Sequence, residues 1–306
     1  MHLLTSAGSG PLPAATAADP AAAPRRRRVG ARGFALAHAV PPLAWQLAFF
    51  AGPLLFLVVL SFWTVRSFRI EPAFEVANWQ RMLMQGYVWE TYARTFAYAL
   101  VAAVAATVLA FPAAYAIAFR LGANARRICL FLLVIPFFTS YLVRIYAWQV
   151  FLADQGVINA LFGMLGLPAQ RMLNTPLATL VGYLTLNLPL VVLVQAMSLM
   201  LVDRRLVEAA FNLGCGPLRT VFAVIIPAAR VGIVIAALFC FIFSFGDFVA
   251  PLYLGGGTAP TLPILIVDTT KAGQQWPRAA VLALLMIATL MAVAWAMTAY
   301  AYRRRA

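Results

Sequence analysis

Two ionisable side chains, Arg144 and Asp247, fall inside long apolar runs where a charge is expensive. Charged groups at such depth face a bundle interior or a water-filled path, or pair with each other or with backbone. A carboxylate on a transport path attracts a cationic substrate; the alternative is that Asp247 pairs with Arg144, or caps backbone near Gly246, and serves structure. Both readings stay open, as do anionic or zwitterionic substrates, since Arg144 would repel a polycation unless neutralised. The aromatics Tyr141, Tyr146, Trp148, Phe245, Phe248 and Tyr253 lie nearby in sequence and could stack on an amine, or could belong to interfacial belts. Other chemistry is scarce. His2 and His38 are the two histidines, Cys129, Cys215 and Cys240 have no metal-ligand spacing, and only nine residues are acidic. The GxxxxGK[ST] loop that cradles nucleotide phosphates is missing. An enzyme is not indicated, and no cofactor is expected on this chain.

The elements that would position these groups are membrane spans. Of 306 residues 64% are hydrophobic and 10% charged, with a mean hydropathy of +0.88, well above the apolar share of soluble domains. A bilayer core takes about 20 helical residues to cross, and lipid favours helices because it offers no partner to free backbone groups. Six spans are expected, at Pro42–Val65, Ala93–Phe119, Ile128–Leu152, Pro176–Met200, Val231–Tyr253 and Ala279–Tyr302. Gly52, Pro53, Pro112, Pro136 and Pro189 mark candidate kinks.

A net charge of +14 could suggest nucleic acid, but its distribution follows the membrane instead. Arg25 to Arg28, Arg32, Arg120, Arg126, Arg127, Arg204, Arg205, Arg219, Arg230 and Arg303 to Arg305 share one side, fifteen residues against seven on the other. The positive-inside rule then puts both termini in the cytoplasm. Residues 1–41, rich in Ala, Pro and Arg, read as a disordered basic tail, and the apolar run after them as a retained anchor, not a cleaved signal. Residues 303–306 form a short basic end.

One polar, bent segment interrupts this pattern on the cytoplasmic side, at 203–228. Asp203 to Leu213 has helical composition, with Leu206, Ala209, Ala210 and Leu213 near one face. Gly214-Cys215-Gly216-Pro217 breaks it, and a second helical run from Leu218 leads to Pro227. The spacing of Glu208, Ala209, Ala210, Gly214, Val224, Ile226 and Pro227 resembles the EAA signature of binding-protein-dependent ABC-transporter permeases. Val224 and Ile226 are conservative departures from it.

That resemblance covers about 42–302 and implies an all-α integral membrane protein of MetI-like importer architecture. It implies that the loop is a coupling helix seated on a cytoplasmic ATP-binding subunit dimer, which holds the ATP and magnesium. Glu208 would meet a basic group there, Ala209 and Ala210 would permit close packing, Gly214 would allow the turn, and Pro227 would close the motif. Alternating access would follow from ATPase closure. The stretches 136–167 and 243–257 look like spermidine/putrescine-type permeases, specifically the first permease subunit of a pair. A second homologous permease, an extracytoplasmic solute-binding protein and the bacterial inner membrane are implied as partners and location. The loops 70–92 and 153–175 could receive the binding protein. The remaining alternatives are another small solute, such as an amino-acid derivative or an anion, and a secondary transporter, which would have no use for the 203–228 segment.

Overall fold

A computed structural model describes residues 31–66, 69–257 and 259–303. The chain divides into two compact units, 1–53 and 54–306. The described part of the first is α1 (Ala31–Gln46), a wide helical turn at Leu47–Ala51 and the start of α2 (Gly52–Leu60). Its apolar side chains face outward, as Trp45, Phe49 and Leu43 show, which suits lipid. Most of the expected tail lies outside the described residues; its described part, 31–41, is helical.

In the second unit a two-stranded antiparallel hairpin, β1 (Thr64–Arg66) and β2 (Arg69–Glu71), precedes α3 (Ala77–Leu83) and the long α4 (Gly86–Tyr115). Then come α5 (Ala123–Val134), α6 (Tyr141–Leu152), α7 (Val157–Met164) and α8 (Pro176–Met200). The bent segment holds α9 (Arg204–Asn212), α10 (Pro217–Thr220) and α11 (Ile226–Ala228). After it follow α12 (Arg230–Gly246), α13 (Val249–Tyr253), α14 (Leu262–Lys271) and α15 (Trp276–Tyr302).

Four helical runs are long and apolar enough to cross a bilayer: His38–Leu60, Gly86–Arg120, Pro176–Met200 and Trp276–Tyr302. Two further runs are bent pairs, Ala123–Phe138 with Tyr141–Met164 at 91° and Pro217–Ala228 with Arg230–Gly246 at 75°. Counting each pair as one span gives six. The fourth span matches the reading from sequence residue for residue, whereas the third and fifth are broken.

Two interruptions of the spans read from sequence have chemical causes, the second of them separate from the 75° bend at Ala229. Pro136 has no N–H for the helix ladder, so Ile135–Phe138 tightens into a 3-10 turn and Thr139 leaves it extended. The span read as Ile128–Leu152 therefore changes direction before α6. At Asp247 the backbone is again extended, so the span read to Tyr253 stops at Gly246 and continues as the short α13. Sequence reading also missed α14, set off by Pro263 in its first turn, and the small hairpin.

α4, α8 and α12 pack together as the core. α4 presents Ala99, Ala102, Ala103, Ala106, Ala110 and Ala114, all buried. Small residues at spacings of three and four let backbones approach closely, which is how helices associate where lipid removes the hydrophobic drive. α8 meets α13 the same way at Gly182, where an added Cβ would lie 2.6 Å from the Ala250 Cβ and 2.9 Å from Leu254 Cδ1. Sparse polar links add specificity: Asn187 Nδ2 donates to Ser244 Oγ at 3.0 Å, Gln195 Nε2 to the Thr107 carbonyl at 3.1 Å, and the Tyr92 and Thr289 hydroxyls lie 3.0 Å apart.

Gly182→Val should therefore destabilise the fold by about 1–3 kcal/mol through overpacking, lowering the thermal midpoint of the detergent-solubilised chain. Gly163→Ala, at a helical position with nothing near the added Cβ, should leave that midpoint equal or slightly higher, since alanine is the better helix former. Equal midpoints for Gly182→Val and the native chain would show that α8 and α13 are not in close contact.

Candidate functional site

The polar segment folds as a helix, a turn and a helix, and each part follows from its residues. Asp203 caps α9 by accepting from Arg205 N–H at 2.9 Å, satisfying one of the donors a helix start leaves free. Gly214 ends it at φ +78°. Cys215 N–H reaches the Ala210 carbonyl at 3.0 Å and Gly214 N–H the Phe211 carbonyl at 2.9 Å, the paired bonds of a Schellman cap. Gly216 then precedes α10, and Pro217 occupies its first turn.

The faces of α9 differ in one respect from the reading of its periodicity. Ala210 is buried and Val207 half-buried, so these two turn toward the rest of the chain. Leu206, Leu213 and Ala209, placed on the same face by spacing, are exposed together with Glu208. Phe211 and Leu218 are exposed as well. Periodicity finds an apolar stripe but cannot say what covers it. Pro227 sits half-buried in α11, just before the 75° bend at Ala229.

The second group of residues gathers around the two broken spans. Asp247 is buried and accepts three hydrogen bonds, from Tyr141 Oη to Oδ2 at 2.7 Å, from Val249 N–H to Oδ1 at 3.0 Å and from Ala250 N–H to Oδ2 at 3.1 Å. Bonds to the N–H groups two and three residues onward are the N-cap pattern, so this carboxylate starts α13. Its bond to Tyr141, the first residue of α6, joins one break to the other. Gln149 Nε2 repeats the connection one end further along, donating to the Tyr253 carbonyl at 2.7 Å.

Arg144 donates from Nη1 to the Thr185 carbonyl at 3.2 Å. That carbonyl is the one that position 189 would bond in an unbroken ladder, and Pro189 has no N–H to offer. α8 thus runs through its proline with the freed acceptor served from α6. The Arg144 guanidinium also stands 5.9 Å from the Tyr141 ring centroid. Both ion pairs among the described residues lie elsewhere, Arg66 with Glu71 and Arg94 with Glu90. Asp247 and Arg144 are thus each bonded to Tyr141 or backbone, without a direct pair between them.

The nearby aromatics separate. Tyr146 is exposed and faces Tyr253 with ring centroids 5.4 Å apart, and Trp148 is half-buried beside Phe151. Phe245 is fully buried among Phe241, Phe96 and Tyr92, so it lines the helical core of this chain. Tyr141 and Thr185 escaped sequence reading as bonding partners. The Pro189 spacing was the available signal for Thr185, because a proline always frees the carbonyl four residues back.

These features agree with what the chain is similar to. The family described as the binding-protein-dependent transport system inner membrane component matches residues 24–306. The spermidine/putrescine transport system permease protein PotB of Escherichia coli is 33% identical over 218 residues, which are 70% of this chain and 78% of the relative. The inner membrane ABC transporter permease protein YdcU of the same organism is 28% identical over 229 residues, 70% and 73% of the two chains. Among solved structures, a bacterial ABC transporter involved in the import of the acidic polysaccharide alginate superposes with a TM-score of 0.72 at 15% identity, over 90% of this chain and 97% of the other. That likeness concerns the fold. With a family match spanning nearly its whole length, the chain belongs to the binding-protein-dependent transport system inner membrane components, as a permease subunit of an ABC importer.

Proposed function

We propose that this chain is the first of two homologous permease subunits in an importer that carries a polyamine, such as spermidine or putrescine, into the cytoplasm. A cytoplasmic ATP-binding subunit dimer drives it, holding ATP and magnesium, and an extracytoplasmic solute-binding protein delivers the substrate. The observation that carries the coupling role is the exposed face of α9 and its turn. Glu208 and Ala209 lie there with Leu206, Phe211, Leu213 and Leu218, an apolar surface carrying one carboxylate. Such a surface is suited to a cleft on a soluble partner. The Schellman cap makes it rigid, and α10 and α11 connect it directly to α12, so a displacement at α9 reaches a core helix. The polyamine reading is supported by the relatives named for spermidine and putrescine. Both termini, on this reading, face the cytoplasm.

Asp247 acts in this proposal by linking the two interruptions, since its oxygens are occupied by Tyr141 and the α13 N–H groups, and Arg144 by serving the Thr185 carbonyl of α8, with its buried Nε left without a partner. Tyr146 and Trp148, less buried, are the better candidates for contact with a passing amine. Asp247→Asn keeps one acceptor oxygen but turns an NH2 donor toward a backbone N–H that the carboxylate served, so assembly should fall less than in Asp247→Ala, and the complexes that do assemble should keep near-native uptake. Asp247→Ala leaves buried donors unmet at about 1–3 kcal/mol, and the yield of assembled transporter should fall. Loss of polyamine uptake by an assembled Asp247→Asn complex would instead assign the carboxylate to the substrate path.

Proteoliposomes containing the chain with its second permease and ATPase, supplied with the binding protein, test the function directly. ATP-dependent entry of labelled spermidine, competed by putrescine and not by glutamate, is the expected result; entry without the ATPase would contradict it. Gly214→Val forces a β-branched residue into left-handed backbone at about 1–2 kcal/mol. It should lower ATPase association by roughly five- to thirtyfold, although the chain itself has open space around that Cβ.

A further inference from the structure

At the end of the molecule opposite α9, a cavity of about 250 Å³ opens between β1, α3 and the start of α15. Thr64, Arg66, Arg81 and Arg278 line it, with Glu75 and Gln275. Three guanidiniums therefore face one lining carboxylate, and Glu71 draws on Arg66 from outside at 3.9 Å. The excess is positive. Two of the donors are also unmet: Arg278 Nε and Thr64 Oγ1 are both buried and without a hydrogen-bond partner. Both donors belong to side chains that line the cavity, so an acceptor entering it could pair with them once they turn toward it. Arg278 lies in the first turn of α15, a 27-residue helix whose positive end adds to the field.

The walls are fixed in place. Asn78 Nδ2 donates to the carbonyls of Ser61 and Trp63 at 3.1 and 2.7 Å, and Trp79 Nε1 to Ser61 Oγ at 3.1 Å. α3 is thereby stapled to the chain that leaves α2, and it packs on α15. Donors held in this way suit a ligand with several oxygens, and guanidiniums bind phosphate in paired contacts.

We propose that this cavity holds the phosphate of an anionic phospholipid. The surroundings point to an amphiphile: Phe74, Val76 and Trp276, next in sequence to the lining residues, are 82%, 57% and 49% exposed. The cavity also lies by the ends of two helices long enough to cross a bilayer, His38–Leu60 and Trp276–Tyr302, which on the proposed function brings it near the headgroups. Free phosphate would satisfy the same donors but leave those apolar side chains in water.

Native mass spectrometry of the full-length chain from phosphatidylcholine nanodiscs, titrated with phosphatidylglycerol, tests this. The native chain should retain phosphatidylglycerol, and Arg81→Gln and Arg278→Gln should each weaken retention by about tenfold, as expected for one charge-assisted hydrogen bond. Arg81 is exposed, so its variant keeps the fold even if Arg278→Gln does not. Equal retention by the native chain and Arg81→Gln would overturn the proposal. So would inorganic phosphate binding as tightly as the lipid, which would mark a free-oxyanion site, or arginine-dependent binding of the solute-binding protein without any effect on lipid, which would mark a protein dock.

Discussion

Every backbone N–H and C=O in an apolar medium needs a partner, and this requirement governs where the chain can bend. Straight helices meet it internally. An interruption leaves groups that need another partner, and at several of them a charged or hydroxyl side chain supplies it. Asp247 starts α13, Thr95 Oγ1 accepts the Leu262 N–H at 2.8 Å to start α14, and Arg144 serves the carbonyl that Pro189 frees. Arg126 binds the carbonyls of Ile117, Ala118 and Leu121 where the second span ends, at 3.1 to 3.2 Å, and Arg230 donates to the carbonyl of Arg303 beyond α15. Cations at helix C-termini also complement the dipole. Two of the arginines that give the chain its charge asymmetry thus have local work as caps.

The same requirement shapes how the straight and the interrupted spans pack. α4, α8 and α12 form a rigid core through small-residue contacts, whereas the third and fifth spans are each built as two pieces. The Tyr141–Asp247 bond links the interruption before α6 to the one before α13 across 106 residues of sequence. On the cytoplasmic side, in the orientation proposed, a second bend at Ala229 separates the docking segment from α12. On the proposed reading, a push on α9 would pass through a capped turn and two short helices to α12.

Much of this was legible in the residues. Long apolar runs located the spans, the run Pro176–Met200 to the residue, and the Asp203 to Pro227 spacing located the cap, the turn and the second helix. What stayed hidden depended on tertiary contact. The apolar stripe of α9 could be found but not its covered side, since Ala210 turns inward and Leu206 and Leu213 outward. The interruptions at Thr139 and Asp247 were marked only as a candidate kink at Pro136 and a candidate break near Gly246, inside spans read as running on to Leu152 and Tyr253. Asp247 carried three candidate roles in sequence, and its partners became evident only when Tyr141 and the α13 backbone came into view. α14 was missed because a ten-residue helix holding Asp268 and Lys271 resembles a loop in composition.

Asp247 and Thr95 hold the starts of α13 and α14 as ordered caps. Amide hydrogen exchange of the chain in lipid nanodiscs tests this most directly at Val249, Ala250 and Leu262, whose N–H groups bond to Asp247 and Thr95. The account predicts exchange at these three amides as slow as in the interior of α12. Exchange as fast as in the loop around Gly166 would contradict it.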